Sequence, residues 1–168
     1  MALKQQIQSD LNESVMGKEE LRSSVLRLLL AAINNKETEK RTKIWKEKPK
    51  TSVEDLEKES KLTDEEIIDV ISSEIKKRRE SIELFEKGGK KEMADKEKKE
   101  AAILQKYLPE QMSEVDLRKI IKEAISNVGA KEQKDMGRVM KELVPKTKGK
   151  ADGSLISRVV KELLTDQK

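Results

Sequence analysis

Three lysines fall within five residues, Lys146, Lys148 and Lys150, just before Asp152-Gly153-Ser154 in the stretch VPKTKGKADGSLIS. Ammonium groups beside glycines and a helix start could hold a phosphate. With Asp152 as N-cap, the amides of Gly153 and Ser154 lie at a helix N-terminus, where free N–H groups and the dipole attract anions. Gly149 and Gly153 would let a phosphate backbone come close. The Asp152 carboxylate competes for the same amides. The stretch therefore reads as a solvated turn or as a phosphate cradle.

The surrounding sequence extends the positive charge. Between Lys131 and Lys161 stand Lys131, Lys134, Arg138, Lys141, Lys146, Lys148, Lys150, Arg158 and Lys161. Against these nine are Glu132, Asp135, Glu142 and Asp152, a net of +5. Such a patch suits a polyanion and is also common as plain solvated surface. A second run, Lys76-Lys77-Arg78-Arg79, lies in a predicted helix interior. Consecutive helical residues diverge by about 100°, so it reads as a collar that Glu74, Glu80 and Glu83 partly neutralise.

Catalytic chemistry finds little support. Ser154 is the one nucleophile candidate, and no base stands near it; it reads as a helix-start residue. The chain has no His and no Cys, which removes His-based triads, thiol nucleophiles, disulfides and nearly all zinc sites. No metal or cofactor is expected. There is no Walker loop or dinucleotide fingerprint. The three aromatics, Trp45, Tyr107 and Phe85, are too few for a base-stacking platform.

These residues must be positioned by helices. The chain is 42% charged and 35% hydrophobic over 168 residues. Leu, Ile, Val and Phe make up about 24% of it, and the net charge is only +4, so a packed aliphatic core is expected and not disorder. Leu3, Ile7, Leu11 and Val15 predict a helix over about 2–16, with Gly17 as a break. Leu21, Val25, Leu28, Leu29, Ala32 and Ile33 form a stripe, widened by Leu26 and Leu30, on a central helix over about 18–41. Residues 42–62 lose the spacing around Pro49 and read as a mobile loop with a short helical turn near 53–58. Thr63 and Glu66 form a capping-box pattern before Ile67, Ile71, Ile75, Ile82 and Phe85, and Gly88-Gly89 ends that helix. A fourth helix covers about 90–108 and stops at Pro109.

Past Pro109, Ser113 and Asp116 resemble a cap, followed by a helix carrying Leu117, Ile120, Ile121, Ala124, Ile125 and Val128 and closed by Gly129. Asp135 opens a short helix with Met136, Val139, Met140 and Leu143, expected to stop before Pro145. Asp152 opens the last, with Ile156, Val159, Val160, Leu163 and Leu164. The expected architecture is all-α: an N-terminal domain of about four helices over 1–108 and a small three-helix domain over 109–168. No signal-peptide core and no stretch approaching ~20 apolar residues occurs, so a cytoplasmic protein with no membrane partner is expected.

The segments YLPEQMSE (107–114) and KDMGRVMKELVPKTKGKADGSLISRVVKELL (134–164), with LRSSVLRLLLAAINNKE (21–37) and EIKKRRESIELFEKGGK (74–90), resemble the YqeY family. This is the GatB/YqeY group of small bacterial proteins. The main departure is 42–62, which is longer and more charged than the family's pattern. The resemblance implies an all-α fold similar to the tail of the B subunit of glutamine-dependent aminoacyl-tRNA amidotransferases, a tail that touches tRNA. The ATP and ammonia chemistry of those enzymes belongs to other domains. The resemblance thus implies tRNA as partner, with an aminoacyl-tRNA synthetase or an amidotransferase as protein partner. Its candidate RNA-binding residues are Arg138, Lys141, Lys146, Lys148, Gly149, Lys150, Gly153 and Arg158. A helical protein–protein adaptor is the alternative. A carbon–nitrogen ligase using glutamine as amido donor is suggested by the family label alone.

Overall fold

The computed structural model describes residues 2–165; residue 1 and residues 166–168, at the outer ends of the two expected domains, lie outside the described residues. Helices form every regular element among the described residues. The chain divides into two compact units, Met1–Tyr107 and Leu108–Lys168.

The first unit contains α1 (Leu3–Met16), α2 (Glu20–Glu47), α3 (Val53–Ser60), α4 (Asp64–Lys87) and α5 (Lys91–Gln105). The 28-residue α2 packs against each of the other four. Its inward residues Val25, Leu26, Leu29 and Ile33 meet Ile7 of α1, Ile67, Ile71 and Ile75 of α4, and Ala94 and Leu104 of α5 in an aliphatic core. The stripe differs from expectation at Leu28, which is 55% exposed while Leu26 is fully buried. Two residues rotate a helix by about 200°, so Leu26 and Leu28 cannot share a face, and the partners of α2 lie on the Leu26 side.

The capping box at the start of α4 forms as expected. The Glu66 amide donates to Thr63 Oγ1 at 3.2 Å and the Thr63 amide donates to Glu66 Oε2 at 2.8 Å. Lys40 of α2 adds its ammonium to the Glu66 carboxylate at 2.8 Å. The Lys40 hydrogen bond, then the Thr63 amide, hold that carboxyl below the ordinary range. At the other end Gly89 turns the chain with φ +70°. Within α4, Arg78 is not part of an outward collar. It is 8% exposed and bonds Glu74 at 3.2 Å and Glu100 of α5 at 3.3 Å. A cation between two packed helices requires such carboxylates, because its desolvation is otherwise uncompensated.

The stretch 42–62 is not a loop. α2 continues to Glu47, Pro49 sits in the following turn, and α3 occupies Val53–Ser60. The first unit therefore has five helices, not four. Ser52 caps α3 by accepting the Asp55 amide at 3.1 Å. Only Leu56 supplies a buried apolar side chain there. The pairs Arg41–Glu57 at 3.7 Å and Lys48–Glu59 at 3.6 Å join α3 to α2. One buried leucine and charge pairing leave almost no hydrophobic period to detect, so the sequence predicts only a short turn near 53–58 where a full helix forms.

The second unit contains α6 (Glu114–Val128), a 3-10 turn (Gln133–Asp135), α7 (Met136–Thr147) and α8 (Gly153–Thr165). Its core joins Leu117, Ile121, Ala124 and Ile125 of α6 to Val139 and Leu143 of α7 and Ile156, Val159, Val160 and Leu164 of α8. Ser113 caps α6 through the Asp116 amide at 3.1 Å, and Gly129 ends it in the left-handed conformation with φ +62°. Pro145 does not stop α7, which runs on to Thr147. The proline lies in the last turn on an exposed position, where the one amide bond it removes is spared from burial.

Candidate nucleic-acid interface

The elbow between α7 and α8 is built from its buried end outward. Thr147 is 2% exposed, and its hydroxyl donates to the Leu143 carbonyl at 2.9 Å. Its own carbonyl accepts the amides of Lys150 at 2.9 Å and Ala151 at 3.2 Å. This tight return requires a left-handed residue, and Gly149 supplies it with φ +70°. The strap before α6 closes the other side. The Gln111 amide group donates to the Gly149 carbonyl at 2.6 Å, and the Met112 N–H donates to the Lys150 carbonyl at 2.8 Å. The carbonyls of residues 149 and 150 are thus turned to protein partners.

Asp152 then starts α8. Its Oδ1 accepts the Ser154 amide at 2.7 Å and the Leu155 amide at 3.4 Å. The helix N-terminus already holds an anion, so an incoming phosphate would meet a carboxylate there. Gly153 has an ordinary backbone and open space around a notional Cβ. No local constraint requires glycine at that position.

The expected basic residues divide into groups. Lys146, Lys148 and Lys150 gather at the elbow with Gly149 and Gly153. Lys146 pairs with Glu142 at 2.9 Å, and the Lys146 hydrogen bond holds the Glu142 carboxyl below its usual range. Lys148 is half-buried and engaged. Lys150 is exposed and forms no ion pair among the described residues. Arg138 lies at the opposite end of α7, about 15 Å along the axis from Lys148 by helical rise. There its guanidinium donates to the Val128 carbonyl at 2.6 Å and approaches Asp135 at 3.5 Å. Two backbone amides, from Lys131 and Glu132, keep that aspartate's pKa low. Arg138 thus ties the end of α6 to the start of α7 while remaining 63% exposed. Lys141, one turn further on, is exposed on the same outer side of α7. Arg158 sits on the outer face of α8, 3.8 Å from Glu162. That glutamate also binds Arg118 of α6 at 2.9 Å.

The arrangement places three lysines along one hydrogen-bonded turn. It supplies no acid, base and nucleophile set: Ser154 is an exposed helix-start residue with its amide on Asp152. No group of three or more potential metal ligands converges among the described residues. Among those residues no helix is long and apolar enough to cross a membrane. Sequence reading missed Gln111, Met112 and Thr147, which shape the elbow. Thr147 sits four residues after Leu143, and that spacing was the available signal; the strap contacts span 38 residues and left none.

No curated relative matches the sequence. The family described as Yqey-like protein matches residues 4–164, which covers both units and includes α3 and the elbow. The chain belongs to the YqeY family.

Proposed function

We propose that the protein is a non-catalytic tRNA-binding module that acts as an accessory to tRNA enzymes in the cytoplasm, and that its second unit meets RNA at the elbow. The observation that carries this reading is the clustering of Lys146, Lys148 and Lys150 on a turn held rigid by Gly149, Thr147 and the 111–112 strap. Asp152 fills the amide site, so recognition rests on lysine–phosphate contacts and not on a helix-dipole cradle. Lys141 and Arg158 extend the surface, and Arg138 contributes with whatever part of its charge Asp135 leaves unmatched. An aminoacyl-tRNA synthetase or an amidotransferase is the matching protein partner, in keeping with the resemblance to the amidotransferase tail.

Filter binding of tRNA to wild type and to the triple variant Lys146→Ala/Lys148→Ala/Lys150→Ala, across a salt series, tests the proposal. Each lost phosphate contact lowers the log–log salt slope by roughly 0.7–0.9. The expected result is weaker binding and a shallower slope. Equal affinity and slope in the two proteins would remove the elbow from RNA binding.

A further inference from the structure

A second concentration of positive charge, in the first unit, lies at the end of α2. Residues 41–50 hold Arg41, Lys43, Lys46, Lys48 and Lys50 against Glu47 alone, a higher density than in the 131–161 span. Two of the five are spent on architecture: Arg41 and Lys48 pair with Glu57 and Glu59 of α3. Lys43, Lys46 and Lys50 form no ion pair among the described residues, and all three are exposed. Trp45 stands among them, 55% exposed. An indole is among the most favourable side chains to bury, so one left in water between ammonium groups is an unspent contact.

Lys43 stands two residues before Trp45, about 200° around α2, and so projects from the far side of the helix, while Lys46 lies nearer the indole, about 100° away. Thr42 precedes Trp45 by three residues and Lys46 by four, so both adjoin it on the helix surface. A shallow trough of about 390 Å³ runs alongside, lined by Thr38, Glu39, Thr42, Lys43 and Lys46. Glu39 on its edge is matched by Lys36 at 2.7 Å. Lys50 projects from the turn after α2, where the Thr51 amide donates to the Lys48 carbonyl at 3.1 Å and Pro49 fixes the bend.

We propose that this α2–α3 corner binds single-stranded nucleic acid, with Trp45 stacking on one unpaired base and Lys46 and Lys50 meeting the flanking phosphates. This deepens the RNA-binding reading above, on which it rests, by adding a contact on the first unit. An aromatic face beside a positive track is the combination that holds single strands, and a duplex would keep its bases out of reach. A membrane-seated helix would instead surround the tryptophan with apolar neighbours. Here Arg41, Thr42 and Lys46 surround it, and Val53 at the start of α3 is the only other exposed large apolar side chain in 41–60.

Trp45 is the sole tryptophan, so its fluorescence reports on this corner alone. The full-length protein is titrated with a short mixed-sequence RNA strand, with the same strand annealed to its complement, and with phosphatidylserine–phosphatidylcholine vesicles. Saturable quenching by the single strand, weakened by salt and absent with the duplex, is expected. Read by filter binding of the same strand, Trp45→Leu lowers single-strand affinity by roughly tenfold, and Trp45→Phe retains most of it. Lys46→Ala/Lys50→Ala makes the salt slope shallower. These substitutions are at exposed positions, and circular dichroism confirms that each variant folds.

Unchanged emission with the single strand, while tRNA still binds in an elbow-dependent way, overturns the corner and leaves the proposed function standing. Single-strand affinity that falls in Trp45→Leu and in the lysine variant, with tRNA affinity indifferent to the elbow triple variant, supports the corner and removes the elbow. An emission change with vesicles and none with RNA overturns the proposal in favour of a membrane contact.

Discussion

Tyr107, the residue that ends the first unit, donates its hydroxyl to Asp10 Oδ2 at 2.6 Å, across 97 positions of sequence. Arg22 of α2 stands 3.8 Å from the same carboxylate and 3.5 Å from Glu13 and Glu19. A buried phenol at the end of α5 is thus anchored to α1, with an arginine completing the charge balance. Burial, then the Asp10 hydrogen bond and its negative charge, push the phenol pKa well above its ordinary value.

That shift gives a signed pH prediction. The folded state holds the phenolic proton more tightly than the unfolded state. The linked stability is therefore fully present below the unfolded pKa of about 10 and is lost as pH rises beyond it. Tyr107→Phe should lower stability at neutral pH by about 1 kcal/mol, the net value of one hydrogen bond. It should also flatten the alkaline fall of the denaturation midpoint relative to wild type. Tyr107 is the sole tyrosine, so ultraviolet titration of phenolate reads it directly. A normal phenol titration in the folded protein would contradict this account.

Arg78 carries the second prediction. Burial pushes the Glu74 carboxyl up, but hydrogen bonds from Lys77 and Arg78 outweigh it, and the net direction is down. A depressed carboxylate stabilises the fold above its unfolded pKa of about 4.3 and loses that contribution as pH falls through the folded value. Arg78→Ala leaves Glu100 without the cation it shares with Glu74 between α4 and α5, and leaves Glu74 with Lys77 alone. The expected cost is about 3 kcal/mol in urea unfolding at neutral pH. Arg78→Met with Glu100→Leu should recover much of it, because an apolar pair of similar volume avoids the desolvation. Recovery no better than Arg78→Ala would mean that the ion network specifies the packing.

These two networks also show what the sequence conceals. The all-α class, the cap at Thr63, the glycine stop at 88–89 and the core of α6 to α8 follow from local spacing, and the structure agrees. Arg78 looks like its three basic neighbours in the chain; only its packing between α4 and α5 turns it inward. Of α3 only a short turn near 53–58 is legible, because the helix is held by charge pairs and a single leucine. At the elbow, the turn and the Asp152 cap are local and were readable. The splitting of the basic residues between two ends of α7 was not, since linear charge density ignores the roughly 1.5 Å rise per residue.

Glu142 masks Lys146, so removing its charge should expose the elbow. Glu142→Gln is expected to raise tRNA affinity several-fold at low salt and to steepen the salt dependence by up to one phosphate contact. The exposed pair adds little to stability, so the melting temperature should stay within a degree or two. Filter binding across salt reads the effect. Unchanged affinity and slope would mean that Lys146 points away from the RNA.

The two elbow glycines separate turn geometry from ligand approach. Gly149 has φ +70°, so Gly149→Ala should cost about 1 kcal/mol through the left-handed backbone alone. Gly153 has neither positive φ nor a neighbour within reach of a Cβ. Gly153→Ala should leave stability unchanged or slightly raised, since alanine loses less backbone freedom on folding. Any fall in tRNA affinity for that variant then reports a phosphate close to the start of α8. If Gly153→Ala binds like wild type while the lysine variants bind weakly, the RNA is held by side chains reaching outward, and the α8 amides stay with Asp152.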